Sequence, residues 1–567
     1  MSMNLDKVSL LRKTLCFCMF VFLLEVTQAQ VEFTHPGIPF NTDDLKRMKR
    51  NVNKEPWKTA YGKLLKDRRS SLEYKMQGPL KFVNREPHVG MNEFTSDSTA
   101  VLHQSILYSV TGNEKYAENA LKIIRAWSKE HTEWGGGTVF LAASDHGLYF
   151  IQGSEILRYT YKKWTADDTK LMENYCEKML WPLFHHPKPL RAANQGAAQL
   201  KGGIAVAVFM NDKEKFKQVI DAYRADPSAG ILNTLPNGQT GDSGRDQGHA
   251  FGMLKNMAFT AEVAFRQNVN LYTLLEDRLL TVSEYWSKYN LGEDVVPWIP
   301  YGTAYGYYPT IGEKGRKSNV GYATGYLETI YGAYTVRNKK ESPFLKKMRD
   351  AQEPNIDTFL YRKDKDNSSA KVNVYVIKDH VKPKRFEPKA VNLGSVKKGS
   401  GEFDRKTGAW SLSGAGDVYG KGDSDRGFFQ LQEMSEDATI VARVVSVEES
   451  SKPTKAGIVF RASDEAASDM LAVFGDGHDN ASATWRGGNT RGASQDFKEM
   501  SLPIWVKIEK KWNRVNGYAS PDGKHWTPIS SCLFDPTKKY YLGLFSTSNT
   551  NELATAVIDN VTIKTAK

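Results

Sequence analysis

The hydrophobic periodicity of this 567-residue chain changes once, and that change constrains the fold more than any other feature. From about residue 40 to 345, apolar residues recur at spacings of three and four, which predicts amphipathic helices. From about 396 onward the period becomes two, as in Thr439 to Val444. Short strands at regular spacing are typical of a β-sandwich. We therefore expect a helical region followed by an all-β region.

The helical segments alternate with short and long connections, and Ser, Thr, Asn and Asp stand where N-caps belong. Paired helices with glycine-rich loops on one side indicate an (α/α) toroid, and the strands indicate a jelly-roll-like sandwich. The main predicted helices are 100–108, 116–127, 147–161, 167–180, 195–209, 214–223, 247–266, 271–289 and 321–336. The predicted divisions are a signal peptide at 1–29, the toroid at 30–362, a linker at 363–395 and the sandwich at 396–567.

The N-terminus is typical of a cleavable secretory signal. Lys7, Arg12 and Lys13 precede an apolar run from Leu15 to Val26, and small residues for cleavage follow at Thr27 to Ala29. The run is short for a membrane span, and no second long apolar run is present. We expect a secreted or periplasmic protein without a membrane span.

The charge and the cysteine content indicate which partners and cofactors to expect. The net charge is +12, which suits polyanions such as acidic polysaccharides, anionic membranes or nucleic acid, although it also serves simple solubility. The basic residues are scattered and the signal directs the chain outward, so we expect no nucleic-acid partner. Outside the signal only Cys176 and Cys532 remain, and we expect both to be buried free thiols. No Cys/His spacing suggests a metal, no cofactor is expected, and the sequence makes no prediction of oligomeric state.

One motif carries most of the chemical information. The stretch from Gly241 to His249 reads GDSGRDQGH and leads directly into a predicted helix. Its glycines allow close approach of backbone to a ligand, while Arg245 and His249 present a cation and a titratable imidazole together. Such a pair suits binding of a carboxylate. A trypsin-like interpretation of Gly-Asp-Ser-Gly fails, because the run precedes a helix and no matching His and Asp segments are present.

Three segments of the chain resemble the alginate-lyase-like polysaccharide lyases with an (α/α) toroid. They are Gly244 to His249, Ala193 to Gly196 and Asn290 to Asp294. The resemblance covers roughly residues 85–335 and looks nearest to the lyases that act on poly-mannuronate and poly-glucuronate. Better-known alginate lyases carry Asn-His where this chain has Asn194 and Gln195. The strands after 396 resemble the concanavalin-like accessory domains of secreted carbohydrate enzymes.

The resemblance implies β-elimination, in which a uronate loses its C5 proton and expels the C4 glycosidic oxygen. Donors must offset the sugar carboxylate before that proton can leave. Asn194, Arg245 and His249 are expected to do this. A tyrosine acts as base and then acid, because both atoms lie on one side in mannuronate and glucuronate. From the Tyr-rich loop at 301–308 we expect Tyr305 first and Tyr301 second.

Further substrate contacts are expected beside this set, and each has a structural alternative. The residues are Gln195, Tyr301, Arg316, Trp134 and His146. Arg316 would clamp a carboxylate and Trp134 would offer a sugar platform, unless the indole merely packs in a loop. In the same way, His249 suits a cap or core position, Asn194 an N-cap, Arg245 a pairing with Asp242 or Asp246, and His146 a buried position.

Two other functions fit the same sequence. A glycoside hydrolase on a toroid needs two carboxylates flanking the bond, for which Asp97, Asp145, Asp242 and Asp246 are available. A non-catalytic polysaccharide-binding protein would bind uronate polymers without turnover. An unsaturated product distinguishes the lyase from both.

Overall fold

We describe a computed structural model of the chain. It describes residues 32–184, 190–226, 228–235, 237–298, 301–303, 306–317, 325–370, 372–373, 382–418, 424–478, 480–487, 490–511, 514–534 and 539–566. The predicted signal peptide at 1–29 therefore lies outside the described residues.

The first region is helical, as the periodicity predicts. The helices are α1 Thr42–Asn51, α2 Trp57–Lys66, α3 Met91–Thr111, α4 Glu114–Glu130, α5 Leu148–Thr160, α6 Ala166–Tyr175, α7 Ala193–Phe209, α8 Lys213–Ala225, α9 Gln247–Arg266, α10 Arg278–Asn290, α11 Gly325–Tyr331, α12 Pro343–Asp350 and α13 Ile356–Tyr361. Short pieces supplement them: helices Val139–Ala142 and Trp181–Phe184, 3₁₀ turns Arg68–Ser70 and Ile231–Asn233, π-helical turns Ala143–Gly147, Cys176–Leu180 and Gly332–Arg337, and strands β1 Phe82–Asn84, β2 Glu133–Gly135, β3 Val269–Asn270, β4 Tyr301–Thr303, β5 Gly306–Tyr308 and β6 Val372–Asn373.

The helices form two concentric layers. Helices α3, α5, α7, α9 and α11 contact one another in that order as an inner layer, and α4, α6, α8, α10 and α12 lie outside them. Helix α7 shows the inner environment most clearly, since every residue except Asn194 and Gln195 is buried. A helix apolar on all sides belongs inside a layered helical domain. The predicted helical toroid followed by a sandwich is confirmed.

Helices α1, α2 and α13 complete the ring between its last and first inner helices. The guanidinium of Arg47 in α1 donates to the carbonyls of Leu360 at 2.6 Å and Arg362 at 2.8 Å. These bonds satisfy carbonyls at the C-terminal end of α13 that no helical N–H reaches. The start of the chain and the end of the helical region are thereby joined.

The second region begins earlier than the predicted boundary at 396. It consists of β7 Lys382–Lys384, β8 Lys389–Leu393, β9 Ser400–Asp404, β10 Ala409–Gly414, β11 Gly427–Met434, β12 Asp437–Val447, β13 Lys455–Arg461, β14 Met470–Asp476, β15 Asn480–Gly487, β16 Thr490–Glu499, β17 Ile504–Lys511, β18 Arg514–Ser520, β19 Thr527–Leu533, β20 Tyr540–Thr547 and β21 Ala554–Ala566. Strands β7 and β8 fall within the predicted linker at 363–395, yet they pair with β21 and β11.

These strands form two antiparallel sheets packed face to face. One sheet has the order β19-β18-β17-β12-β21-β10-β9, with β7 also on β21, and the other has the order β16-β15-β14-β13-β20-β11-β8. Alternate residues of β12, including Ile440, Ala442 and Val444, point into the shared core. Period-two burial of this kind produces the alternation seen in the sequence.

The structure also bears on the predicted state of the cysteines and on the predicted lack of a membrane span. Cys176 and Cys532 are both buried free thiols, as expected. Within the described residues, none of the helices combines the length and apolarity that crossing a bilayer requires.

Candidate active site

The GDSGRDQGH stretch forms a tight loop that ends at the start of α9. Asp246 is the N-cap of this helix, and its Oδ1 accepts a hydrogen bond from the backbone N–H of His249 at 2.8 Å. Its Oδ2 lies 2.5 Å from Nδ1 of His249, so one carboxylate caps the helix and holds the imidazole. These hydrogen bonds lower the pKa of Asp246 against the opposing effect of burial.

The imidazole of His249 is available for chemistry. Its side chain is 38% exposed, and no described residue hydrogen-bonds its Nε2. When Nδ1–H donates to Asp246, Nε2 of the neutral ring carries a lone pair; in the protonated ring it is a donor. The alternative of a helix-capping histidine does not hold, because Asp246 provides the cap.

A buried carboxylate joins this loop to α7. Asp242 is fully buried, and its Oδ2 accepts a hydrogen bond from the backbone N–H of Asn194 at 2.9 Å. Its Oδ1 lies 3.8 Å from Nη1 of Arg245. Burial raises the pKa of Asp242, while the hydrogen bond from Asn194 and the nearby His249 and Arg245 oppose that rise. Asn194 is therefore held in one cluster with Arg245 and His249, which were predicted from a different segment.

Asn194 occupies the first turn of α7 without capping it. The N-cap is Ala192, which makes no side-chain capping bond, and Ala193 has a φ of 51°. Left-handed backbone is unfavourable for a residue with a Cβ, and such positions are frequent at functional sites. Oδ1 of Asn194 is buried and accepts no hydrogen bond from the described residues. Gln195 follows at intermediate exposure.

The tyrosine loop lies against the same segment. Strands β4 and β5 form a hairpin in which Tyr301 stands opposite Tyr308. A Cβ at Gly244 would lie 2.3 Å from Cβ of Tyr308, so glycine is required for this contact. Tyr305 and the side chain of Tyr301 lie outside the described residues, and their roles stay predictions.

Three hydrogen bonds fix the chain after the hairpin to the loop. The N–H of Gly312 donates to Ser243 O at 2.9 Å, and the N–H of Gln247 donates to Lys314 O at 2.9 Å. The side-chain amide of Gln247 also donates to Gly312 O at 2.7 Å. On its other side the hairpin contacts β16 and β19 of the sandwich. The two regions of the chain therefore meet beside the tyrosine loop.

A cavity of about 350 Å³ occupies the axis of the ring, within the size range of ligand pockets. Its lining comes from helices α5, α7, α9, α11 and α13 and from the π-helical turn before α5. Lys201 of α7 lies seven residues after Asn194, which places it about two turns, or about 10 Å, further along the same helix face. The Asn194 cluster thus lies at the N-terminal ends of α7 and α9, two of the helices that line the cavity.

Two lysines and Asp145 form a charged cluster in this cavity, which Asp357 and Glu262 also line. Oδ1 of Asp145 accepts hydrogen bonds from Nζ of Lys201 at 2.6 Å and from Nζ of Lys255 at 3.2 Å. Burial lowers the pKa of Lys201 to about 8, although Asp145 opposes that shift. Both lysines hold the pKa of Asp145 far below its usual range despite its own burial. Lys255 keeps 40% of its side chain exposed, so its ammonium remains accessible.

His146 lines this cavity, and its predicted contact with substrate stays a prediction. Its Nδ1 is buried and makes no hydrogen bond with any described residue. Burial lowers its pKa, and Lys201 and Lys255 act in the same direction against Asp145. The ring is therefore favoured in its neutral form.

The structure places Trp134 and Arg316 in packed positions. The indole of Trp134 donates to Met179 O at 2.9 Å and packs edge-on against His131. The guanidinium of Arg316 stacks over Tyr289 at 4.1 Å and donates to Oδ1 of Asp294 at 2.7 Å. Neither side chain joins the Asn194 cluster, so their sugar contacts stay predictions.

Sequence reasoning did not identify Lys201 and Lys255. Lys201 had a signal, because a single lysine stands within the otherwise apolar run of α7. Lys255 follows Phe251 by one helical turn on the stripe of α9 that lines the cavity. Asp145 was considered only as a hydrolase carboxylate, and its two lysine partners come from distant helices.

Parts of this chain are similar to known proteins. Residues 84–289 match the family model for alginate lyase. The matched segment contains Asn194, Arg245 and His249, and the match supports a polysaccharide lyase. No curated protein matches the chain.

Several solved structures are similar to parts of the chain. An alginate lyase from Bacteroides ovatus is 14% identical over 57% of this chain and 98% of its own, with a TM-score of 0.45. Alginate lyase A1-III from Sphingomonas species A1 is 14% identical over 56% and 95%, with a TM-score of 0.41. A functionally unknown protein from Saccharomyces cerevisiae is 18% identical over 32% and 96%, with a TM-score of 0.27.

Proposed function

We propose that this protein cleaves a uronate polymer, poly-mannuronate or poly-glucuronate, by β-elimination. The observation that carries the proposal is the cluster of Asn194, Arg245 and His249, joined by Asp242 and Asp246 at the N-terminal ends of α7 and α9. The cluster combines an amide, a guanidinium and an imidazole, and the cavity beside it contains two ammonium groups.

The chemistry assigns a task to each group. The carboxylate of the uronate must be neutralised before C5 can release its proton, because the resulting carbanion would otherwise stand beside a full negative charge. The guanidinium of Arg245 and the side-chain amide of Asn194 donate to that carboxylate. A tyrosine of the hairpin, Tyr305 first, takes the C5 proton and returns a proton to the leaving C4 oxygen.

Asp246 sets the role of His249. By accepting Nδ1–H, it directs Nε2 away from the helix and fixes the orientation of the ring. Nε2 of the protonated ring donates to the uronate carboxylate, as predicted for a neutralising group.

The hydrolase alternative needs two carboxylates free to flank the scissile bond. Asp97 is fully buried and accepts hydrogen bonds from the indole of Trp127 at 2.7 Å and from the backbone N–H of Gly78 at 2.9 Å. Asp145 is held ionised by two lysines, and Asp242 and Asp246 bind Asn194 and His249. These engagements favour the lyase.

The decisive experiment incubates the purified protein with a panel of uronate polymers and follows ultraviolet absorbance of an unsaturated product. The variants His249→Ala and Tyr305→Phe are expected to abolish product formation. His525→Ala is a matched control, because His525 makes the same pair of bonds to an aspartate three residues earlier, in the sandwich, at 2.8 and 2.6 Å.

Three outcomes would contradict the proposal. Saturated oligosaccharides would indicate hydrolysis, and tight binding without turnover would indicate a binding protein. Wild-type rates in His249→Ala would show that the cluster is not the active site.

We also propose that the mature protein is exported after removal of residues 1–29, since an extracellular polymer is met outside the cytoplasm. N-terminal sequencing of the protein recovered from its natural source tests this, and a chain beginning near Gln30 is expected. A retained Met1 would contradict it.

A further inference from the structure

A second groove lies on the β-sandwich, far along the chain from the predicted catalytic groups. Its volume is about 670 Å³, and its walls come from β7 and the segment after it, the β9–β10 turn and β21. Three aromatic side chains and three basic side chains line it: Phe386, Phe403, Trp410, Lys384, Arg385 and Arg405.

The aromatic residues form one connected surface. Phe403 on β9 stands directly opposite Trp410 on β10, and their ring centroids are 5.2 Å apart. Phe386 also packs against Trp410, edge to face, with ring centroids 5.8 Å apart. Phe403 is 48% exposed, although a phenylalanine on an edge strand would normally be covered. The exposed ring of Phe403 and the half-buried indole of Trp410, whose planes are 40° apart, offer apolar ring faces to a ligand.

The charges around this surface are mainly positive. Lys384, Arg385 and Arg405 are all exposed at the groove. Two acidic groups also line the groove: Glu387 pairs with Arg385 at 3.3 Å, and Oδ1 of Asp559 accepts from Nε of Arg443 at 2.8 Å. Lys384 and Arg405 therefore supply most of the positive charge that the groove offers to a ligand. The groove therefore presents guanidinium and ammonium groups around aromatic rings, which is complementary to a chain of sugars that carry carboxylates.

We propose that this groove is a second binding site for a uronate polymer. The rings stack on the apolar faces of the sugar residues, and the basic side chains pair with the carboxylates. The ligand class rests on the proposed lyase function. The site is non-catalytic, and it retains a long polymer on the enzyme, so that cleavage of the attached chain becomes effectively intramolecular.

Binding is tested with the full-length chain in a His249→Ala background, so that polymer is not consumed. Native electrophoresis through gels that contain poly-mannuronate, poly-glucuronate, neutral xylan or poly-glutamate measures retardation. We expect retardation by a uronate polymer but not by xylan, and an affinity about tenfold weaker in Phe403→Ala and in Arg405→Gln. Leu553→Ala and Lys539→Gln are matched controls on exposed sandwich positions outside the groove.

Kinetics with otherwise wild-type enzyme provides the second readout. Phe403→Ala is expected to raise KM several-fold for long polymer while leaving kcat and KM for a tetrasaccharide unchanged. Both groove variants are on exposed positions, and equal melting temperatures would show that they fold.

The outcomes separate the two proposals. Unchanged retardation in Phe403→Ala and Arg405→Gln, with product still formed by the wild type, would overturn the groove alone. Equal retardation by poly-glutamate, insensitive to Phe403→Ala, would show charge attraction only and would also overturn it. Absence of unsaturated product from the wild type would refute the lyase, whether or not the groove binds polymer.

Discussion

At the scale of single residues, Asp246 both caps α9 and positions the imidazole of His249, and one substitution distinguishes the two roles. Asparagine caps helices as well as aspartate does, so Asp246→Asn keeps the cap of α9 while removing the charged acceptor at Nδ1 of His249. We expect kcat to fall at least tenfold, because a misoriented imidazole loses its contact with substrate, with a nearly unchanged melting temperature. Steady-state absorbance assays measure this. Asp522→Asn is the matched control, and an unchanged kcat in Asp246→Asn would contradict the role of the pair.

Lys201 offers a prediction about pH. Because the pKa of Lys201 is lowered by burial to about 8, its ammonium is charged below that pH and loses its charge as the pH rises through it. If the cavity binds an anionic sugar, KM of the wild type rises above about pH 8. Lys201→Met should raise KM about tenfold at pH 7 and abolish the alkaline rise.

The exposed Lys170→Met serves as control for the loss of one positive charge from the chain. If KM of Lys201→Met rises at alkaline pH as it does in the wild type, the rise is caused by another titrating group. Melting curves of both variants show whether the ring remains folded.

At the scale of elements, the contact between the glycine loop and the hairpin is testable through one methyl group. In Gly244→Ala the new Cβ would fall 2.3 Å from Cβ of Tyr308, so hairpin and loop must separate. If the hairpin supplies the base, we expect kcat to fall at least tenfold, since a displacement of about 1 Å costs about 100-fold in well-aligned sites. Gly62→Ala, where nothing lies within 4 Å, is the control and should raise stability by about 1 kcal/mol. Wild-type kcat in Gly244→Ala would place the base elsewhere.

The elements also show which parts of this fold a sequence determines. Helix α9 was predicted with its exact bounds, because an N-cap aspartate and a continuous apolar stripe define it locally. The helix predicted from 271 begins instead at Arg278, since Leu275, Glu276 and Asp277 all have positive φ. Hydrophobic spacing carries no signal for that turn, which is imposed by packing. The π-helical turn Cys176–Leu180 was predicted as ordinary helix for the same reason.

The candidate site divides in the same way. Asn194, Arg245 and His249 were predicted because each stands in a recognisable local motif. The pairing of Asp145 with Lys201 and Lys255 was not, because these residues are 56 and 110 positions apart and meet only when the ring closes. Long-range charge pairs inside a toroid depend on the register of helices, which the periodicity of one helix does not contain.

At the scale of the whole molecule, one buried charge cluster joins the two ends of the helical ring. Glu262 of α9 lies 2.8 Å from Arg266, 3.0 Å from Arg337 and 3.3 Å from Lys363. Asp44 of α1 lies 2.9 Å from Arg266, and Asp366 lies 2.9 Å from Arg337. The cluster is at the end of the axial cavity, where Glu262 contributes to the lining. The same cluster therefore joins the ends of the ring and contributes to the wall of the cavity.

Glu262→Gln should destabilise the protein by about 3–5 kcal/mol, because removing one member of a buried ionic network leaves uncompensated charges. Chemical denaturation of the helical region measures the loss. Asp221→Asn is the matched control, since it breaks an exposed pair with Lys217 and should change stability by less than about 1 kcal/mol. Equal stability of Glu262→Gln and the wild type would show that the cluster contributes little.

The same cluster predicts how the protein unfolds in acid. Neighbouring cations lower the pKa of Asp44 and Glu262, and that of Asp366 to about 2, in each case against the effect of burial. An unfolded chain takes up these protons near pH 4. The stabilisation that these carboxylates provide is therefore fully present above about pH 4 and is lost as the pH falls toward 2. Melting temperatures between pH 2 and 6 should fall less steeply in Glu262→Gln than in the wild type, because one of these carboxylates is gone. Parallel curves would mean that carboxylates outside the cluster govern the acid transition.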